Sequence, residues 1–234
     1  MKVTVEVWDF PIRLFHWTLV LALVVGYITA RLGGSWIDWH GRIGLLILGL
    51  LVFRLIWGFI GSTYARFTSF FPTWGRLLAY FKGRWQGIGH NPLGALSVLA
   101  LLALLFLQVG TGLFANDDIA YEGHLFSLVD KATSDRMTGW HSSVFDVLLL
   151  LVGLHIASII YYRWVKKNDL VKPMVTGKKE VAQALSAPTA NAGPIRLVVS
   201  LFLTMTVIWG VAEGASQFSP HANLQQTVQS APSF

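Results

Sequence analysis

The chain contains no cysteine. That excludes iron–sulfur clusters, thiolate-ligated haem, haem attached covalently through a C-x-x-C-H site, and any disulfide framework. Charge is scarce as well: 13% of the 234 residues are Asp, Glu, Lys or Arg while 54% are hydrophobic, against about a quarter charged in soluble domains. Such a composition belongs in a membrane. The net charge of +6 carries no soluble basic face to go with it, so a nucleic-acid partner is excluded and the excess is read as a topology signal. No internal repeat and no long low-complexity tract is evident.

Apolar runs long enough to cross a bilayer occur at Phe10 to Ala30, His40 to Ile60, Leu93 to Ala115, Trp140 to Trp164 and Ile195 to Ala212. They predict five transmembrane helices. The first is read as an uncleaved helix, because Glu6 and Asp9 spoil a basic leader and Ile28 stands where cleavage before Arg31 needs a small residue. With the N-terminus cytoplasmic, fourteen of the eighteen Lys and Arg fall on the inner side and only Arg31, Arg42, Lys131 and Arg136 on the outer. The positive-inside rule therefore puts the C-terminus outside.

Gly33 and Gly34 break the chain between the first two spans, which must form an antiparallel hairpin. The basic, aromatic segment from Gly61 to Pro92 predicts a helix lying on the inner surface. Asn91 and Pro92 start the third span as N-cap and first helical residue, and the largest outer loop runs from Asp117 to Gly139. Residues 1–180 form one domain, 181–194 a linker, and 195–234 a fifth helix with a loosely ordered tail.

His141 and His155 lie fourteen residues apart on the fourth span, within about 40° of one face and about 21 Å apart along the axis. His16 sits near the inner end of the first span and His40 at the outer end of the second. Depth then pairs His16 with His155 and His40 with His141, leaving none over. Two imidazoles on facing helices are the ligand set for a six-coordinate electron-carrying haem, so the expectation is two non-covalent haems b. Gly26, Gly41, Gly44, Gly49, Gly110, Gly112 and Gly153 offer close approach, to porphyrin or to a neighbouring helix.

Haem propionates want cationic partners. Arg13 and Arg54 are placed for the inner haem, Arg42 and Arg136 for the outer; each also has the plainer reading of snorkelling to headgroups. Any single intramembrane histidine can instead bond a neighbouring helix or line a proton path. His90, His124 and His221 fall in or beside loops and are taken as solvated, and Met137 as an interface residue. Asp146 is expected to pair with Arg42, the alternative being a proton acceptor beside a quinol.

With these residues in view the sequence resembles the bacterial cytochrome b561 / nickel-iron hydrogenase b-type cytochrome family. The resemblance rests on Trp8-Asp9-Phe10-Pro11-Ile12-Arg13-Leu14-Phe15-His16-Trp17, on His40 followed by Arg54-Leu55-Ile56-Trp57-Gly58-Phe59-Ile60-Gly61, on Gly89-His90-Asn91-Pro92-Leu93-Gly94, and on His141 and His155, and covers residues 6 to about 180. It implies an all-α integral membrane bundle, four core helices binding two haems, with His16, His40, His141 and His155 as axial ligands and the fifth helix peripheral. It further implies a respiratory-chain subunit that moves electrons between the quinone pool and a periplasmic redox partner, such as a c-type cytochrome or another redox subunit. Outer carboxylates Asp117, Asp118 and Glu122 suit a basic docking face; a merely solvated loop accounts for them too. Two other readings remain at this point: a stand-alone quinone oxidoreductase acting on a small substrate such as superoxide, and a proton-coupled transporter, against which the lack of an inverted repeat argues.

Overall fold

Three of the long helices begin where an Asx side chain closes the first turn. In the computed structural model, which describes residues 2–119, 121–182, 190 and 192–218, Asp9 Oδ1 accepts from Ile12 N at 2.9 Å, Asn91 Oδ1 from Gly94 N at 2.7 Å and Asp130 Oδ1 from Thr133 N at 2.7 Å. Each satisfies a backbone donor that a helix start leaves bare. Pro11 and Pro92 occupy the first turns of two of these helices, where a missing N–H costs nothing.

The elements run β1 (Lys2–Glu6), α1 (Phe10–Leu32), α2 (Trp36–Ile60), α3 (Phe67–Phe70), α4 (Trp74–Phe81), α5 (Pro92–Phe114), α6 (Lys131–Trp164), α7 (Val171–Thr176), β2 (Lys178–Ala182) and α8 (Pro194–Phe218), with a single 3-10 turn at Phe126–Leu128. Among the described residues α1, α2, α5, α6 and α8 are long and apolar enough to cross a membrane. The protein is an all-α membrane bundle. Between the second and third spans, where one surface helix is expected, the chain forms two short helices, α3 with Phe70 buried and α4.

Gly33 and Gly34, at φ of 63° and 54°, make the α1–α2 turn in a conformation other residues resist. That turn is tighter than the sequence pattern predicts: α2 begins at Trp36, so His40 lies inside the helix and not at its mouth. α6 also begins earlier, at Lys131, because Asp130 caps it and the Asn116 amide donates to Ser134 Oγ and Asp135 Oδ1. Its first turns therefore stand proud of the apolar window.

α2 is the central helix, packed along α1, α5 and α8, while α6 packs along α5 and meets α1 and α2 only sparsely. A groove is left between α6 and the α1–α2 hairpin. α8 leans chiefly on α2 and is otherwise exposed, as a peripheral helix should be.

One element has no counterpart in the sequence reading. β1 pairs antiparallel with β2, Lys2 opposite Ala182 and Glu6 opposite Lys178. The seam continues into α1: Val7 N and Trp8 N both donate to Gly177 O, at 2.8 and 3.1 Å, Arg13 Nη1 to Val175 O at 2.7 Å and Trp17 Nε1 to Met174 O at 3.2 Å. This ribbon sits at the basic end of the bundle. Most of the residues read as a linker, and residues 219–234 of the tail, lie outside the described residues.

Candidate haem sites

At the acidic end the groove brings His40 of α2 against His141 of α6. Their ring centres are 5.9 Å apart with planes at 90°. An iron about 2 Å from one nitrogen of each ring would hold the centres roughly 6 Å apart, so the spacing fits a metal shared by the pair. Each ring is turned by the helix behind it: His40 Nδ1 donates to Gly26 O of α1 at 2.9 Å, and His141 Nδ1 to Gln108 O of α5 at 2.8 Å. Since a carbonyl only accepts, both Nδ1 atoms carry the proton and both Nε2 atoms keep a lone pair for a metal. A second-sphere bond of this kind is what metal-ligating histidines ordinarily make.

Glycine shapes the space around the pair. A Cβ on Gly112 would stand 2.8 Å from His141 Cε1, so the α5 wall must be bare there for the ring to fit. Gly44, one turn beyond His40 on the same face, has nothing within 4 Å of where its Cβ would be. Among the described residues no cluster of three or more His, Cys, Asp or Glu gathers. Donors that come only in imidazole pairs suit a macrocycle that brings four ligands of its own.

At the basic end His16 of α1 and His155 of α6 lie close enough to interact electrostatically. His16 is set edge-on to Trp17, ring centres 5.0 Å apart, and its buried Nδ1 has no hydrogen-bond partner among the described residues. Behind it Asp9 organises the floor: Oδ1 caps α1 and Oδ2 accepts from Trp57 Nε1 at 3.0 Å. Arg54, only 4% exposed, lies 4.8 Å from the centre of the Phe67 ring with the Asp9 carboxylate near enough to stabilise its charge.

His90 overturns its reading as a solvated loop histidine. Its ring lies 4.6 Å from both Trp8 and Phe70 and is half-buried, with a buried Nδ1 unpartnered among the described residues. Burial, then the charge of Arg54, then His155 push its pKa down to about 3. The imidazole is therefore neutral at physiological pH. Sequence places it beside a helix start; only the approach of Trp8, just before α1, and of Phe70 on α3 takes it out of the loop surface. It borders a cavity of about 220 Å³ with Tyr64, whose buried Oη is also unpartnered and whose pKa burial raises.

The four arginines separate. Arg54 is interior with Nη1 unpartnered, and Arg13 ties α1 to Val175 while its Nε stays buried and unpartnered. Arg42 is exposed, 5.1 Å from the Trp39 ring centre, and lines an open hollow with Asp38, Tyr121, Glu122 and the half-buried His124. Arg136 is exposed and donates to Thr133 Oγ1 at 3.1 Å. The expected Arg42–Asp146 pair does not form among the described residues, and Asp146 is exposed. Asp146 and Arg136 are each five residues from His141, about 140° around the helix, which turns both away from the groove. His221 lies outside the described residues.

A model of the family described as prokaryotic cytochrome b561 matches residues 7–177. Among curated proteins, the chain is similar to a probable Ni/Fe-hydrogenase B-type cytochrome subunit of Rhizobium leguminosarum bv. viciae, 26% identical over 218 residues, covering 75% of this chain and 89% of the relative. It is similar also to that of Azotobacter vinelandii, 24% identical over 213 residues, 75% and 88% covered. To the probable Ni/Fe-hydrogenase 1 B-type cytochrome subunit of Escherichia coli K12 it is 23% identical over 137 residues, 45% and 57% covered. No solved structure matches. With the match spanning most of the chain and the membrane bundle on which it falls, the chain belongs to the prokaryotic cytochrome b561 family and is a multi-pass membrane cytochrome of the b type, an electron-transfer protein that works with haem b.

Proposed function

We propose that this cytochrome carries electrons through the membrane between the quinone pool and a redox subunit docked on its acidic face, using two haems b held by His16 with His155 and by His40 with His141. The observation that carries the reading is the His40–His141 pair, two imidazoles 5.9 Å apart whose Nδ1 protons are already committed to Gly26 and Gln108. Bound haem supplies the one-electron iron couple. The chain supplies the rest: imidazoles at two depths of one helix, and cations for the propionates, with Arg54 and Arg13 the candidates at the basic end.

The relatives named as hydrogenase subunits favour a hydrogenase as the redox partner, on the side read as periplasmic. At the basic end, the cavity bordered by His90 and Tyr64 provides two buried polar groups without protein partners beside His155. A quinone brings two oxygens and takes up protons with its electrons, and it would satisfy both groups. This end is read as facing the cytoplasm, from the bias of Lys and Arg.

The test is the haem content of the purified protein. A pyridine haemochrome assay should give two haems b per chain, and His141→Ala and His155→Ala should each retain one, with different midpoints. A single haem in the wild type, or both haems in either variant, would overturn the assignment.

A further inference from the structure

We propose that Thr29 and Thr111 are positioning residues that set the redox potential of the haem at the acidic end, by sharing the two carbonyls that orient its imidazoles. The inference rests on His40 and His141 being its ligands. Thr29 Oγ1 donates to Gly26 O at 3.0 Å, the oxygen that also accepts from His40 Nδ1. Thr111 Oγ1 donates to Gln108 O at 3.0 Å, the oxygen that accepts from His141 Nδ1. One arrangement thus occurs on each wall of the groove: an imidazole on one helix, a carbonyl on its neighbour, and a threonine three residues further along.

Threonine in a helix commonly bonds back to the preceding turn, and the single hydroxyl proton of each is shared with a second carbonyl, Val25 O at 2.9 Å for Thr29 and Leu107 O at 2.8 Å for Thr111. Three things set these two apart. Both are only 4% exposed, both fall on the carbonyl that takes the ligand's proton, and Thr111 Oγ1 lies 3.4 Å from His141 Nδ1 itself. At the basic end His16 makes no such bond, its Nδ1 meeting no partner among the described residues.

The consequence follows from acceptor capacity. A carbonyl has two lone pairs, and here a helical amide, a hydroxyl and an imidazole N–H draw on them together. Each donor weakens the pull on the others. An imidazole whose Nδ1–H bond is weakened has less imidazolate character, gives less charge to the iron and stabilises the oxidised state less. The hydroxyls therefore hold the potential up, and removing them lowers it.

The experiment is a spectroelectrochemical titration of the haem-loaded protein carrying Thr29→Val, Thr111→Val or both, in the full chain and in a His155→Ala background that keeps only the acidic-end haem. Expected are unchanged haem content, a lower midpoint for that haem with its reduced-to-oxidised ratio at fixed poise falling several-fold, a larger shift in the double variant, and recovery with Thr29→Ser and Thr111→Ser. An unmoved midpoint with haem retained would overturn the proposal, as would equal shifts of both haems in the full chain. Loss of the haem from the Val variants and from the matching Ala variants, with Ser keeping it, would make the hydroxyls anchors of the fold and overturn it too. If His155→Ala does not leave exactly one haem, the ligand assignment fails instead, so the two failures are distinguishable.

Discussion

The two ends of the groove are built on opposite plans. At the acidic end the polypeptide itself aims the imidazoles, through carbonyls of α1 and α5 that hold His40 and His141 at 2.9 and 2.8 Å. At the basic end the ligand candidate His16 has a bare Nδ1, and order comes from the enclosure: Asp9, Arg54, Trp57, His90 and the β1–β2 ribbon. One end is preorganised by hydrogen bonds to the candidate ligands, the other by packing and charge around them. Preorganisation of the first kind fixes ring orientation at low entropy cost; the second leaves rings free but controls what reaches them.

The comparison is broken most severely at Gly112. Gly112→Val drives a branched side chain into the His141 ring, and the expected outcome is loss of the acidic-end haem with the other retained, read by haem quantitation and by the disappearance of one midpoint. If both haems persist at full occupancy, the α5 wall is not what seats His141.

Next in size is Asp9→Ala. It removes a helix cap, about 1 kcal/mol, and leaves the buried Trp57 N–H without an acceptor, about 1–3 kcal/mol more. Expected is a lower unfolding temperature in detergent with the acidic-end midpoint unmoved, and a weakened grip on the basic-end haem. Equal loss of both haems would show that the two ends do not behave separately.

The smallest effect concerns His90 and vanishes at neutral pH. Its folded pKa of about 3 lies below its ordinary value of 6.5, so below that ordinary value the unfolded chain takes up a proton that the folded one refuses. Its stabilising share is complete above about pH 6.5 and is lost as pH falls toward about 3. His90→Phe should flatten this part of the acid limb in a series of unfolding temperatures from pH 7.5 to 4.5, leaving the pH 7.5 value nearly unchanged. An unaltered limb would mean that the imidazole is hydrated.

Much of this was readable in the sequence, for identifiable reasons. Membrane spans announce themselves because backbone groups in lipid must bond within a helix, so length and apolarity suffice. The Gly33-Gly34 break and the Asn91-Pro92 start carry local chemistry that does not depend on the rest of the chain. The depth matching that pairs His40 with His141 needed only the helical rise. What failed was angular or non-local. Asp146 was matched to Arg42 by depth alone, although five residues from His141 place it on another face. His90 left the loop surface because Trp8 and Phe70, far from one another in sequence, close on it. The carbonyls of Gly26 and Gln108 are main-chain atoms, invisible to any motif. β1 alternates as Lys-Val-Thr-Val-Glu, a strand pattern in plain view, yet its partner lies beyond four membrane crossings.

That separation governs the order of assembly. Lys2–Glu6 emerges from the ribosome before anything else described here, and Lys178–Ala182 only after the fourth crossing has been made. The earliest-made strand thus waits, unpaired, while the walls are threaded through the lipid, and its closure is the last stitch in the floor of the bundle. Until then the end of the bundle that carries His16 and His155 lacks the seam that ties Gly177 to the start of α1.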